Sequence, residues 1–387
     1  MIVDRRILLP AIAQILALVT PFVYLQTLVV GHGSEIAVAS ELILSLTGFF
    51  AIVVDWSSTT FLSRSQARLL RSGAYFSILV SKLLAAFVLM AFGVAFLTAT
   101  TSNEPTCAGH IAMVMIGIAL DPSWIYVGRG LLWVPPALGA CRFGGATVLS
   151  LWGLDPILAL ALSFFLSSVV FLLPVVHQLA WPARLSLRLP ARIVRRYYVP
   201  TLTEFLTAAF SRLDVAVAAT LLNTEQALIY AVSRKLILGL LSVTFSSARL
   251  FYLERNRAKL LSLKLSLKKT SILTMLIGGP CAYILAAQVF LVPSEYGLLL
   301  TLGCFVLLFP LGYLKILIQF TYLYQSGRYV AHLAFTAASL TVFVLGCGAI
   351  GIAGWDSAVL LALVRVSADA TYVVTTTIVL RAKNLFC

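Results

Sequence analysis

Apolar residues in this chain fall into long unbroken blocks. They show neither the strict alternation of a half-buried strand nor the three-and-four spacing of a surface helix. Blocks of about 20 residues, bounded by charge, Gly or Pro, predict helices that cross a hydrocarbon layer about 30 Å thick. The blocks read as 7–30, 36–60, 74–99, 109–128, 132–151, 157–179, 199–222, 226–248, 270–292, 298–323, 329–351 and 357–380, about twelve spans in all. Asp121, Pro122, Pro135 and Pro136 interrupt the fourth and fifth. The expected fold is all-α and polytopic.

Composition removes the soluble alternative. Of 387 residues, 61% are hydrophobic and 11% charged, with a mean hydropathy of +1.01. Soluble domains carry about 25% charged residues, and a folded sphere has too little polar surface to hide this much apolar side chain. The net charge of +14 would suggest nucleic acid in a soluble chain. Here it fits the excess of Lys and Arg on cytoplasmic loops, and no nucleic-acid partner is expected.

Charge placement orients the spans. With the N-terminus inside, the outer loops are Gly31–Glu35, Thr101–His110, Trp152–Pro156, Asn223–Glu225, Pro293–Tyr296 and Gly354–Asp356. Each holds a carboxylate and none holds Lys or Arg. The inner segments collect Arg5, Arg6, Arg64, Arg68, Arg71, Arg129, Arg142, the arginines from 184 to 196, the cluster from Arg249 to Lys269, Arg328, Arg381 and Lys383. Both termini are therefore expected on the cytoplasmic side. Trp56, Trp124, Trp133, Trp152, Trp181 and Trp355 all fall near span ends, as an interfacial belt requires. The six cysteines show neither metal nor redox spacing, and no cofactor is expected.

A long basic inner segment divides the chain into an N-terminal lobe, 1–185, a linker, 186–198, and a C-terminal lobe, 199–387. Ser34-Glu35 at the second span has a counterpart in Thr224-Glu225 at the eighth. Such halves are common in secondary transporters.

Some charges fall within the spans, where each costs about 2.5–3.5 kcal/mol unless it faces a partner or a wet interior. Arg212, Arg234 and Lys235 lie at one depth on consecutive spans, roughly 15 Å from the outer ends. They form either a cavity for an anionic group such as a phosphate or interhelical pairs with Asp214 or Glu204. Lys82 and Lys315 lie nearer inner ends and either line the same cavity or snorkel to the headgroups. Asp55 sits near the inner end of the second span, and Arg365 and Asp369 share a helical face.

No catalytic constellation appears. His32, His110, His177 and His332 are isolated and read as surface histidines near span ends. No Walker loop is present, and the short outer loops offer no pair of acids for a polysaccharide polymerase or glycosyltransferase. An enzyme is not expected.

The stretch Leu120-Asp121-Pro122-Ser123-Trp124-Ile125-Tyr126-Val127-Gly128-Arg129 resembles a stretch in the fourth span of the polysaccharide (O-antigen-type) flippases of the multidrug/oligosaccharidyl-lipid/polysaccharide exporter superfamily. Its marks are Pro122 to break the helix, Trp124 at headgroup level and Gly128 for a sharp turn. Asp55 followed by Arg64, Arg68 and Arg71 is similar to that family's second span and inner loop. Arg212-Leu213-Asp214 and Tyr230 to Lys235 are similar to its seventh and eighth spans. Ile125 departs from the usual aromatic, and the doubled cation at 234–235 is a second departure. The resemblance implies two six-helix lobes around a central cavity. It further implies an undecaprenyl-pyrophosphate-linked oligosaccharide as cargo, polysaccharide polymerase or chain-length machinery as neighbours, and membrane lipid around the whole. Arg212, Arg234, Lys235, Lys82 and Lys315 would meet the pyrophosphate, and Asp214, Glu204 or Asp55 would couple an ion. The rivals within the superfamily are a peptidoglycan-precursor flippase and a multidrug exporter.

Overall fold

In the computed structural model, the described residues are 5–55, 74–100, 106–131, 133–176, 188–253, 295–318 and 329–382. Every regular element among them is a helix. Lipid offers the backbone no hydrogen-bond partner, so a spanning segment must satisfy its own amides and carbonyls.

The first four predicted spans become α1 (Arg5–His32), α2 (Ser34–Asp55), α3 (Ala74–Thr100), and a broken pair, α4 (Thr106–Ala119) and α5 (Ser123–Gly128). Gly33, at φ 91°, makes the sharp reversal from α1 to α2. The fifth and sixth spans are α6 (Val134–Leu151) and α7 (Pro156–Val176). Pro135 and Pro136 do not interrupt α6. They stand in its first turn, where a missing N–H costs nothing.

The seventh and eighth spans are α8 (Arg188–Leu221) and α9 (Thr224–Leu253). α8 starts within the predicted basic linker, so most of that linker continues the spanning helix. The tenth span is two helices, α10 (Glu295–Val306) and α11 (Leu308–Leu317). Pro310 lacks the N–H that would reach the Val306 carbonyl, and the first helix stops there. The last two spans are α12 (Tyr329–Ala353) and α13 (Ala358–Ala382). The predicted ninth span, 270–292, lies outside the described residues, as do Trp56, Arg64, Arg68, Arg71, His177 and Trp181.

Five described stretches are long and apolar enough to cross a membrane by themselves, among them 156–176, 330–353 and 358–379. Their outward residues, such as Val170 and Leu173 on α7 and Val344 and Leu345 on α12, are exposed aliphatics that suit lipid and not water. The protein is a polytopic membrane protein.

The chain separates into two compact units, Met1–Ala208 and Ala209–Cys387, with the boundary inside α8. In the first, α6 lies between α1 and α7, and α4 packs on α7, α3 and α2. Small residues allow close approach: a Cβ on Gly117 of α4 would stand 2.8 Å from the Phe164 carbonyl oxygen of α7. The Tyr24 hydroxyl donates to the Pro156 carbonyl at 3.0 Å and ties α1 to the start of α7.

In the second unit, α12 and α13 form a hairpin, while α9 and α13 both pack on α10 and α11. A Cβ on Gly346 would stand 2.5 Å from Cγ1 of Val364, so the hairpin also closes on a glycine. The α8–α9 and α12–α13 turns are joined by polar groups. The backbone N–H of Asn223 donates to Asp356 Oδ1 at 2.9 Å, and its side-chain amide donates to Asp356 Oδ2. Asn223 Oδ1 accepts the Gln226 N–H at 2.9 Å, and Gln226 Oε1 accepts the Ala358 N–H at 3.1 Å. Asn223 caps the start of α9, and the remaining contacts tie that turn to the turn between α12 and α13.

Candidate functional site: charges inside the membrane

Arg212 and Asp214 stand two positions apart on α8, about 200° around the helix. Asp214 is buried and Arg212 is exposed. Asp214 Oδ2 takes Nε of Arg234 from α9 at 2.6 Å and lies 3.5 Å from Nη1 of Arg365 on α13. The Tyr230 hydroxyl, one turn before Arg234, donates to the same oxygen at 3.3 Å. Arg365 turns its Nε to Asp369 Oδ2 at 3.2 Å, across one helical turn, and its Nη1 donates to the Phe210 carbonyl. Lys315 of α11 reaches Asp369 Oδ1 at 2.7 Å.

The result is a buried ladder of alternating sign, Arg234, Asp214, Arg365, Asp369, Lys315, across four helices. Aromatic faces close it off: the Phe210 ring lies 3.6 Å from the Arg365 guanidinium, and Lys315 Nζ lies 5.0 Å from the Tyr372 ring. Each carboxylate is held by two cations, the arrangement that lets a low-dielectric interior keep such charges.

Several expectations change here. Arg234 and Lys315 are engaged with carboxylates of neighbouring helices, so of the candidate cations Arg212 is the exposed one among the described residues. Lys235, next to Arg234, is half-buried. Lys315 does not snorkel, because Asp369 on the packed helix gives its ammonium a nearer partner; Lys82, on α3, is likewise buried. Asp55 ends α2 and Glu204 lies in α8, but the side chains of both are outside the described residues. His332 is no surface histidine. It is buried, with the Tyr372 hydroxyl 2.8 Å from its Nδ1.

The first unit holds a second intramembrane ion pair, which the sequence assigned elsewhere. Arg142, expected on an inner segment, lies eight residues after the start and nine before the end of α6. Its Nη2 donates to Asp121 Oδ2 at 2.9 Å and to the Ser168 hydroxyl of α7 at 2.8 Å. Asp121 sits in the break between α4 and α5, and its Oδ1 accepts the Ser123 N–H at 2.8 Å. The signals available were a charge at mid-span and an Asp-Pro pair that stops a helix.

The family-like motif occupies this same break. Pro122 caps α5 with no side-chain hydrogen bond, leaving that role to Asp121. Trp124 was expected at headgroup level. It is 1% exposed and stacks on Tyr75 at 5.8 Å, because the break turns α5 inward against α3. Gly128 ends α5, and the sharp turn is made two residues later by Gly130, at φ 75°. Among the described residues the exposed tryptophans are Trp152 and Trp355, beside turns between helices.

No family model matches the sequence, and no curated protein does. Solved structures do match over nearly the whole chain. An outward-facing multidrug resistance MATE family transporter of the MOP superfamily aligns at 16% identity and TM-score 0.61, covering 99% of this chain and 97% of its own. The inward-facing form aligns at 15% and 0.60, covering 96% of each chain. A MOP superfamily transporter from Pyrococcus furiosus, described as having a binding pocket of reverse polarity, aligns at 15% and 0.59, covering 97% and 96%. With about a dozen spanning helices implied by that alignment, the chain has the fold of the MATE transporters of the MOP superfamily.

Proposed function

We propose that this protein is a transporter that flips an undecaprenyl-pyrophosphate-linked oligosaccharide from the cytoplasmic to the periplasmic leaflet by alternating access, supplying a surface polysaccharide. The observation that carries this is Arg212. An exposed arginine at mid-depth suits a wet interior better than lipid, and this reading places Arg212 in one. A cation there suits the pyrophosphate, while the polyprenyl tail remains in lipid. Lys235 supplements Arg212 on the next helix, and Lys82 is retained as a further candidate. The ladder from Arg234 to Lys315 then serves to hold the second unit together, with Asp214 as the candidate coupling carboxylate. Reverse polarity of a binding pocket is already described for a MOP transporter with this fold, so a cationic site is compatible with it.

The placement follows the charge map: inner membrane, with both termini cytoplasmic and the acidic loops outside. Polymerase and chain-length proteins are the expected partners. The test is deletion of the gene. Lipid-linked repeat units should accumulate on the cytoplasmic side, and Arg212→Ala should fail to restore export although it inserts. Normal export in the deletion strain overturns the cargo.

A second reading, multidrug export, is favoured by the likeness to multidrug resistance transporters. It predicts that deletion sensitises cells to cationic drugs and leaves lipid-linked sugars unchanged.

A further inference from the structure

Arg365 of α13 grips α8 from the packed side at two points one helical turn apart. Its Nη1 donates to the Phe210 carbonyl and lies 3.5 Å from Oδ2 of Asp214. Its Cζ lies over the Phe210 ring, 3.6 Å from the centroid. In an α-helix the Phe210 carbonyl already receives the Asp214 amide. Arg365 therefore takes the second lone pair of that carbonyl, together with the carboxylate that closes the same turn. Its Nε is engaged with Asp369 at 3.2 Å, which fixes the plane of the guanidinium.

Arg212 is the middle residue of that turn. At about 100° per residue, Phe210 and Asp214 stand about 40° apart on α8, and Arg212 stands about 180° from their midpoint. Phe210 and Asp214 are buried, while Arg212 is exposed. A clamp on positions 210 and 214 therefore sets where position 212 faces. Packing alone sets it weakly here. Ala209, Ala216, Ala218 and Ala219 flank the turn, and such small side chains give neighbouring helices few ridges with which to hold a rotation. Charge alone does not account for the clamp either. A lysine would also balance Asp214 and Asp369, but its single ammonium has no planar fork to rest on a ring while reaching a carbonyl.

We propose that Arg365 is a positioning residue for Arg212: by clamping the Phe210–Asp214 turn of α8 from the packed side, it holds Arg212 turned away from the core, where an anionic group of the cargo meets it. Arg365 itself touches no cargo. The proposal rests on the transport reading for what Arg212 binds, and stands without it for how Arg212 is held.

The test uses the full chain in liposomes of bacterial phospholipid. The first readout is modification by phenylglyoxal, an arginine reagent, located by peptide mass spectrometry. In the wild type Arg212 should react and Arg365 should be protected. Arg365→Lys keeps the charge, so Tm should change little. Modification of Arg212 should nevertheless slow about tenfold, the effect of one lost charge-assisted hydrogen bond, because the released turn no longer keeps it on the wet side. The second readout is binding of undecaprenyl pyrophosphate. Arg365→Lys should weaken it about tenfold, yet leave the residual binding of Arg212→Ala unaltered, because a positioning effect travels through Arg212. Unchanged modification of Arg212 in Arg365→Lys, or an equal loss of binding with and without Arg212, overturns the proposal. Should Arg365→Lys fail to insert, Phe210→Leu removes the ring under the guanidinium, leaves every charge in place and is judged by the same two measurements. If the wild type binds no undecaprenyl pyrophosphate, the cargo reading falls, and the modification of Arg212 alone decides whether Arg365 positions it.

Discussion

Asp214 and Arg234, on consecutive spanning helices, meet at 2.6 Å with the aspartate fully shielded from solvent. Removing the carboxylate therefore takes a shared anion from beside both Arg234 and Arg365, 3.5 Å away. Asp214→Ala should lower stability by about 3–5 kcal/mol, the usual cost of leaving a buried charge uncompensated. Thermal unfolding in detergent should show Asp214→Ala as worse than the double variant Asp214→Ala with Arg234→Met. Equal losses would mean that the pair is not coupled.

The two ends of the ladder should respond unequally. Lys315→Met leaves Asp369 with Arg365 still 3.2 Å away. Asp369→Asn removes the partner of both Lys315 and Arg365. The aspartate variant should lose the larger share of stability, measured as the greater fall in Tm.

Helix packing gives a cleaner comparison, because it involves no charge. A methyl at position 346 would meet Val364 at 2.5 Å, whereas at position 348 nothing lies within 4 Å. Gly346→Ala should cost about 1–3 kcal/mol by overpacking. Gly348→Ala should be neutral or slightly stabilising by helix propensity. The same melting assay reads both.

Orientation is tested by chemistry from outside the cell. A single cysteine at position 104 should react with a membrane-impermeant maleimide in intact cells. A cysteine at position 186 should react only after the cells are opened. The reverse pattern would invert the topology.

Much of the architecture was legible because lipid leaves a long apolar block few options besides helix. Stops were harder. Pro135 and Pro136 read as an interruption when they are a helix start, whereas Pro122 and Pro310 each sit within a predicted span and split it. Among the charges, Arg365 and Asp369 were readable because four-residue spacing places them on one face. Lys315–Asp369 and His332–Tyr372 join residues 54 and 40 positions apart, and no local pattern carries such a match. Arg142 was misplaced because it was grouped with Arg129 on an inner segment, although the predicted span 132–151 already contains it. Trp124 was misplaced for a related reason: nearness to a span end marks an interface only if the helix continues straight.

The clasp of Asn223, Gln226 and Asp356 has a mechanical meaning. Polar stitches at these turns exchange readily with water, so they can be remade one by one without exposing an apolar seam. The four helices they join therefore share one stiff rim on that side. Any flexing of this unit is directed away from that rim.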